Sequence, residues 1–278
     1  DQLVNMLDPH SDHYTYKEFM ELTNTIDQKN VGIGIVVEQT DEGILIVNVI
    51  ENGSAYEANL QLGEIITHVD GISIKGYSID DATSLIKGIV GTKVTLKIKN
   101  TNGTFYTKTL TRKAFEVPVV MSSLLYGNIG YISLSSFSEN GAYEVKKAAT
   151  NLQQQGAKSF IIDLQNNTGG YVSTAQQLIS LFPNTPQAYI EKQKNKLLRV
   201  KSLGLNYKLP GTSRVLINRN SASASEMVAA SVIDQQAATV YGEKSYGKGT
   251  VQGFYPLSDG SILKLTQAEF IGPNNTQI

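Results

Sequence analysis

The stretch that decides the fold runs from Val215 to Gln252, VLINRNSASASEMVAASVIDQQAATVYGEKSYGKGTVQ. It begins with a short apolar strand, passes through an asparagine turn and enters a helix whose apolar period is predicted over 227–233. The first turn of a helix leaves backbone N–H groups unpaired, and the helix dipole there favours negative charge. The serine run at 221–225 is therefore a suitable place for a nucleophile whose reaction develops negative charge.

Lys248 is the candidate base for such a nucleophile. It lies in GKGTVQ, residues 247–252, which alternates like a strand. The chain has three histidines, and all of them lie in its first quarter: His10, His13 and His68. A hydroxyl group and a lysine without a histidine predict a Ser/Lys dyad, a known variant of the catalytic triad.

These motifs resemble those of the carboxyl-terminal processing peptidases, also called tail-specific proteases. The resemblance rests on SASASE at 221–226, GEKSYGKGTVQ at 242–252 and LSDGS at 257–261. It implies that Ser223 is the nucleophile, that Lys248 is the general base and that Gln252 orients the lysine. The base must be neutral, so the pKa of Lys248 must fall from the ordinary lysine value of ~10.4 towards neutrality. The resemblance implies no cofactor and no metal.

Residues 114–278 alternate strands with helices, which predicts an α/β core, and the family resemblance implies that this is the protease core. The strands are expected at 130–137 and 160–164, and the helices at 142–155 and 173–181. The strand at 160–164 is continuously apolar, which is typical of a strand buried on both faces.

A glycine turn follows that apolar strand, NNTGG at 166–170. By the family resemblance, its backbone N–H groups at Gly169 or Gly170 form the oxyanion hole together with that of Ala224. Thr168 and Gln165 stand where the family has proline and arginine. Oxyanion donation is a backbone function, so we expect this change to alter the stiffness of the loop more than its chemistry.

Residues 29–113 resemble a PDZ domain, which is mostly β with two helices. The apolar period changes to two near Val31, with strands predicted at 32–37, 44–49, 65–69 and 94–98 and helices at 56–60 and 79–89. The loop Gly32-Ile33-Gly34 would capture the carboxylate of a peptide that adds a strand to the sheet edge. The segment ENGSA at 51–55 strengthens the resemblance. Tyr56 and Asn59 replace the usual small residues and leave the peptide preference open.

Residues 1–28 are predicted to form a partial helical segment with a break at LDPHS, residues 7–11. This pentapeptide resembles one that precedes the PDZ domain in the family. His10, Asp12 and His13 suggest a metal site, but no further ligands follow at metal spacing, so we predict a polar loop. Since the chain begins at Asp1 inside a predicted helix, we expect the natural protein to extend beyond both ends.

Composition excludes several classes of function. The net charge is −1 and no basic block stands out, so no nucleic-acid partner is indicated. Cysteine is absent, which excludes disulfides and thiolate chemistry. The resemblance implies protein or peptide substrates with free, largely apolar C-terminal tails, and an extracytoplasmic location in the bacterial cell envelope or outside the cell. Membrane attachment through a segment absent from this chain and homo-oligomerisation both stay open.

Local alternatives compete with the dyad. Ser223 and Glu226 fit a capping box, although Ser225 could cap the helix instead. The segment 242–248 fits the start of a phosphate loop, but glycine and a strand pattern follow where that loop needs a hydroxyl residue and a helix. Ser245-x-x-Lys248 matches a motif of penicillin-interacting enzymes, which requires both residues on one helix turn. The glycines on either side of Lys248 disfavour such a turn.

Two broader questions stay open. The chain could be a catalytically silent module that binds peptides through its PDZ domain. Arg112, at the end of the PDZ segment, is a candidate regulatory residue that bridges to the core or to a bound tail. The competing interpretation is an exposed arginine at the end of a strand.

Overall fold

A computed structural model describes residues 4–194 and 196–278 and has a mixed α/β fold, as predicted. A single 3₁₀ turn at Val4–Met6 precedes the regular elements. The strands are β1 (Asp12–Tyr14), β2 (Lys29–Gly32), β3 (Ile35–Thr40), β4 (Gly43–Val49), β5 (Ile65–Val69), β6 (Ile72–Ser73), β7 (Lys93–Lys99), β8 (Phe105–Thr111), β9 (Lys113–Glu116), β10 (Val120–Leu125), β11 (Ile129–Leu134), β12 (Ser159–Asp163), β13 (Gln187–Gln193), β14 (Lys196–Lys201), β15 (Ser213–Ile217), β16 (Thr239–Gly242), β17 (Thr250–Pro256) and β18 (Ile262–Ile271). The helices are α1 (Tyr16–Ile26), α2 (Ser54–Glu57), α3 (Ile79–Ile86), α4 (Gly141–Gln154), α5 (Val172–Ser180) and α6 (Ala224–Asp234).

The chain divides into two compact units. The inserted unit is Lys29–Val117, and the core unit comprises the described residues up to Gln28 together with Pro118–Ile278. Each unit has its own buried apolar cluster. No helix within the described residues is long and apolar enough to cross a bilayer.

One sheet of the core unit determines where a site can form. Its strand order is β10-β11-β12-β15-β16, in which β10 is antiparallel and the other four strands are parallel. Along β12, Phe160 and Ile162 are fully buried whereas Ile161 is only partly buried, so this strand alternates more than its apolar sequence predicts. The carboxyl ends of neighbouring parallel strands share one edge of a sheet, where ligands usually bind.

The second sheet of the core unit has the order β1-β18-β13-β14, with β17 also paired to β18. The N-terminal segment, expected to be helical, therefore also contains a strand, because β1 pairs with β18. Helix α1 follows with a capping box in which Thr15 accepts the N–H of Glu18 and Glu18 accepts that of Thr15. A three-residue strand carries too little alternation to be predicted from sequence.

The inserted unit has a sheet of order β3-β4-β5-β7-β8, with β6 on β5, and a separate pair β2-β9. Helix α2 lies earlier than the predicted 56–60, and α3 ends at Ile86 instead of residue 89. Lys87 is extended (φ −65°, ψ 163°), and Arg112 donates to the carbonyl groups of Leu85 and Ile86 at 3.0 and 2.7 Å. The last carbonyls of α3 are satisfied by the side chain of Arg112, which lies between β8 and β9 and which a periodicity argument does not detect.

Candidate active site

Three loops of the core unit meet at the carboxyl edge of its parallel sheet. The glycine turn 166–170 follows β12, the serine turn 218–223 follows β15, and the loop 243–249 follows β16. Since β12, β15 and β16 are consecutive neighbours in the sheet, the three loops lie side by side. They carry the predicted oxyanion donors, the predicted nucleophile and the predicted base.

The three serines of the run at 221–225 differ in burial and in the hydrogen bonds of their side chains. Ser221 Oγ donates to the carbonyl of Leu164 at 2.8 Å, and Ser225 Oγ donates to that of Asn167 at 2.8 Å. Both side chains are fully buried, whereas Ser223 is partly exposed. The suggestion that Ser225 caps the helix is therefore wrong, because its hydroxyl fastens the serine turn to the glycine turn.

Ser223 has the backbone conformation of a nucleophile elbow. Its φ is 56° and its ψ is −112°, outside the regions that residues other than glycine usually adopt. It occupies the N-cap position of α6, and Glu226 accepts its N–H at 2.7 Å, so part of the capping-box alternative is realised. An ordinary N-cap has extended dihedrals, so capping alone does not account for this geometry. A serine at such a sharp strand-to-helix turn presents its hydroxyl to a substrate.

Glu226 joins the nucleophile turn to the loop that carries the base. This carboxylate, 2% exposed, accepts the backbone N–H of Gly247 at 2.6 Å through Oε1 and that of Lys248 at 2.9 Å through Oε2. Oε2 also accepts the N–H of Ser223, so the predicted nucleophile and base share one carboxylate oxygen. At the sequence level Glu226 is a capping partner alone, because a capping box gives no sign of the further contacts with Gly247 and Lys248.

Lys248 and Gln252 form the predicted pair. Lys248 lies in the loop just before β17, not within the strand as predicted, and Gln252 lies on β17. Lys248 Nζ donates to Gln252 Oε1 at 2.6 Å. The amide nitrogen of Gln252 in turn donates to Thr250 Oγ1 at 2.8 Å and to Thr266 Oγ1 at 3.2 Å. Every donor of the glutamine side chain is used, which fixes its carbonyl oxygen towards the lysine.

The surroundings of Lys248 favour its neutral form. Partial burial lowers its pKa below the ordinary lysine value, and the positive charge of Lys264 lowers it further. The carboxylates of Glu226 and Asp8 act in the opposite direction. The net lowering is what a general-base lysine requires, since only the uncharged amine can accept a proton.

The glycine turn supplies fewer free donors than expected. Gly169 is a correction, because its N–H already donates to Asn167 Oδ1 at 2.9 Å. Gly169 instead provides room: a Cβ added there would lie 2.9 Å from Ser223 Cβ and 3.2 Å from the nitrogen of Ala224. Within the described chain, no backbone or side-chain group accepts the N–H of Gly170 or Ala224. These two N–H groups are therefore the candidate oxyanion donors.

Asn167 organises both turns and was missed at the sequence level. It is fully buried, its Nδ2 donates to the carbonyl of Leu134 at 2.8 Å, and its own carbonyl accepts the N–H of Ala222 at 3.0 Å. An asparagine in a glycine turn is such a common turn residue that its identity carries no signal of this role.

A second candidate site lies in the inserted unit. A cavity of about 250 Å³ is bordered by the loop 32–34, by β3, by Ile86 of α3 and by Phe115. Gly34 has a φ of +80°, and a Cβ there would lie 2.8 Å from Gly53 Cα. No group in the described chain accepts the N–H of Ile33 or Gly34, so both are available to a carboxylate. The predicted loop Gly32-Ile33-Gly34 therefore borders an apolar groove beside a sheet edge.

Arg112 is not the exposed strand-end residue of the competing interpretation. It is 9% exposed, and besides the end of α3 its guanidinium donates to the carbonyl of Lys93 at 2.8 Å. These contacts lie within the inserted unit and restrain the helix that borders the groove.

His13 and His68 each have a hydrogen bond with a hydroxyl group outside the serine turn. His13 Nε2 lies 2.8 Å from Ser261 Oγ, and His68 Nδ1 lies 3.0 Å from Thr67 Oγ1. Among residues 4–194 and 196–278, no group of three or more potential metal ligands comes together.

Comparisons with known proteins identify the family of this chain. The profile of peptidase family S41 matches residues 128–278, and that of the PDZ domain matches residues 45–100. The chain is 34% identical to the carboxy-terminal processing protease CtpA of Bacillus subtilis, over 95% of the chain and 57% of that protein. It is 31% identical to a probable CtpA-like serine protease of Staphylococcus haemolyticus, over 98% of the chain and 55% of that protein. The chain thus spans about half the length of the curated relatives it matches.

Solved structures share the fold. A putative S41 protease of Bacteroides fragilis aligns with a TM-score of 0.63 at 19% identity, over 98% of this chain and 77% of that one. The photosystem II D1 C-terminal processing protease aligns with a TM-score of 0.55 at 24% identity, over 97% and 75%. The S41 profile covers more than half of the chain, and the predicted resemblance is confirmed. The chain belongs to peptidase family S41 and carries a PDZ domain.

Proposed function

We propose that this chain is the catalytic part of a serine endopeptidase with a Ser223/Lys248 dyad. The observation that carries the proposal is the shared carboxylate oxygen of Glu226, which binds the backbone of both residues. The hydrogen bond from Lys248 to Gln252 orients the amine, and the lowered pKa of the lysine increases the share of neutral amine that can accept a proton. Together they supply a nucleophile, a base and an orienting group.

The geometry supports acyl transfer in two steps. Ser223 Oγ attacks the scissile carbonyl carbon while its proton passes to Lys248 Nζ. The oxyanion accepts hydrogen bonds from the N–H groups of Gly170 and Ala224. The C–N bond then breaks as Lys248 returns the proton to the leaving amine. A water molecule then attacks the ester carbonyl carbon while Lys248 takes its proton, and Lys248 returns that proton to Ser223 Oγ as the C–O bond to the serine breaks.

The groove of the PDZ domain supports a preference for protein tails. Its cavity has mostly apolar borders, and the free N–H groups of Ile33 and Gly34 suit a terminal carboxylate. A peptide added beside β3 would extend the sheet of the inserted unit. The proposed substrates are therefore proteins with accessible, largely apolar C-terminal ends, and by family resemblance the proposed location is extracytoplasmic.

The test is the cleavage of an unstructured protein by the wild type and by Ser223→Ala, each shown to be folded by circular dichroism. We expect cleavage by the wild type and none by the variant, since nucleophile and base act as a unit. Ser245→Ala is the matched control, because it removes a hydroxyl from the alternative Ser-x-x-Lys motif and should leave the rate nearly unchanged. An active Ser223→Ala with an inactive Ser245→Ala would reverse the assignment, and an inactive wild type would favour the silent peptide-binding module.

A further inference from the structure

A hydrogen-bonded path leads away from the proposed base to the N-terminal segment LDPHS, residues 7–11. Beyond Gln252, the hydroxyl of Thr266 both accepts from the glutamine at 3.2 Å and donates to Asp8 Oδ1 at 2.9 Å. Gln252 and Thr266 are cross-strand partners in β17 and β18, at a bulge of that ladder. The path is Asp8, Thr266, Gln252 and Lys248, and all four residues belong to the core unit.

The LDPHS segment binds both the side chain and the backbone of Thr266. Asp8 Oδ1 accepts the N–H of His10 at 2.9 Å and that of Ser11 at 3.1 Å, which closes the turn. Ser11 Oγ donates to Asp8 Oδ2 at 2.5 Å and accepts the N–H of Thr266 at 3.2 Å. The segment thus forms hydrogen bonds with both the side chain and the backbone of one residue of β18.

Asp8 sets the direction of every bond in the path. The hydrogen bond from the Ser11 hydroxyl, with further bonds from His10 and Thr266, lowers the pKa of Asp8 to about 2. An ionised carboxylate only accepts, so the Thr266 hydroxyl must donate to it and is left with an acceptor for the amide nitrogen of Gln252. The carbonyl oxygen of Gln252 then faces Lys248.

The orientation of this amide matters for a neutral base. An uncharged lysine has one lone pair, which must point at the Ser223 hydroxyl. A carbonyl oxygen at Gln252 accepts an N–H of Lys248 and leaves that lone pair free. A reversed amide would offer an N–H to the same lone pair and occupy it.

We propose that Asp8 is a positioning residue for Lys248, acting through Thr266 and Gln252. This inference rests on the Ser223/Lys248 mechanism proposed above. The charged groups that act on Lys248 are Asp8 and Glu226, which favour its protonated form, and Lys264, which opposes it. Asp8 therefore has two separable effects: it fixes the amide and it contributes a negative charge.

The experiment compares Asp8→Ala, Thr266→Val, Thr266→Ser and Asp12→Ala with the wild type on one unstructured substrate. Asp8→Ala and Thr266→Val should each lower kcat about tenfold or more and change KM by no more than about twofold, because the bound substrate is not touched. Thr266→Ser restores the hydroxyl and should return kcat to within about threefold of the wild type. Asp12→Ala removes an exposed carboxylate at the start of β1, directly after the LDPHS segment, and should behave as the wild type.

The pH profile separates positioning from a loss of structure. Asp8→Ala should move the rising limb of the kcat–pH profile to lower pH, because the lost anion had favoured protonated Lys248. Thr266→Val keeps that charge and should leave the limb in place. If Asp8→Ala fails to fold, Thr266→Val decides: wild-type kcat in that variant, with Ser223→Ala inactive, overturns the role of Asp8. An active Ser223→Ala would instead overturn the proposed dyad.

Discussion

At the scale of single residues, Ser223 has an unfavourable backbone conformation. A residue other than glycine at φ 56° and ψ −112° costs about 1–3 kcal/mol and persists only where its surroundings enforce it. The surroundings here are the buried Ser221 and Ser225, whose hydroxyl groups donate to the carbonyls of Leu164 and Asn167, and the carboxylate of Glu226. The cost is consistent with a site that presents one hydroxyl in a fixed direction.

The first prediction concerns pH. The rate should rise with pH as Lys248 loses its proton, with a midpoint below the ordinary lysine value of ~10.4, because burial and Lys264 lower its pKa. The sign for stability is the same: a lysine whose pKa is lower in the folded state binds fewer protons there, so its contribution to stability increases with pH between the two values.

The measurement is kcat across pH, with the urea midpoint of unfolding recorded at each pH. His13→Gln is the control, since this histidine contacts Ser261 and should leave the limb unchanged. A limb that disappears in His13→Gln would assign the titration to a histidine.

The second prediction concerns Glu226. Glu226→Gln replaces one acceptor oxygen by an NH₂ group that faces backbone N–H donors, so at least one of its three bonds is lost. We expect kcat to fall more than tenfold and the free energy of unfolding to fall by about 1–3 kcal/mol. Glu243→Gln, which removes an exposed carboxylate paired with Arg219, should change both quantities little.

At the scale of elements, the groove of the inserted unit depends on the close approach of two backbones. Gly34 and Gly76 have nearly the same φ, +80° and +78°, but a Cβ at Gly34 meets Gly53 Cα at 2.8 Å whereas one at Gly76 meets nothing within 4 Å. The third prediction is that Gly34→Ala abolishes binding of a peptide with an apolar C-terminus, because the loop must shift away from the ENGSA segment.

Gly76→Ala is the matched control, since it introduces the same backbone strain without the collision. It should lower the melting temperature slightly and keep peptide binding, measured by calorimetry. Equal loss of binding in both variants would mean that strain, and not the approach to Gly53, determines the loop.

The elements also show how far the sequence can predict this structure. Helices α4, α5 and α6 and the strands β11, β12 and β15 lie within a few residues of their predicted positions, because their apolar patterns are strong. Ser223, Lys248 and Gln252 were predicted from motifs. The roles of Glu226, Asn167 and Arg112 were not, since each depends on contacts between residues far apart in the chain.

At the scale of the whole molecule, the two units raise the question of coupling. The fourth prediction is that the PDZ domain gates the proposed activity, with peptide binding shifting the protein towards a more active population. A non-cleavable peptide with a free apolar C-terminus should change the rate on an unrelated substrate, and removal of residues 31–112 with a short linker should change it too. The same peptide with an amidated C-terminus is the control, because it offers no carboxylate.

The size of the effect is limited by differential binding, and a shift from mostly closed to mostly open needs about 5 kcal/mol. A peptide that binds the PDZ domain yet leaves turnover of the unrelated substrate unchanged would reduce this domain to a tether. Arg112, which restrains α3 beside the groove, is the proposed regulatory residue to vary next.

The pairing of β2 with β9 places the two ends of the inserted unit next to each other, with Lys29 opposite Glu116. While the inserted unit is folded, it therefore joins the two parts of the core unit as a short hairpin connection would. Once unfolded, the same residues become a long flexible loop. The free-energy cost of closing such a loop rises by about 0.6 kcal/mol for each doubling of its length. Unfolding of the insertion thus lowers the stability of the core unit through chain entropy, and this effect does not depend on contacts between the two units.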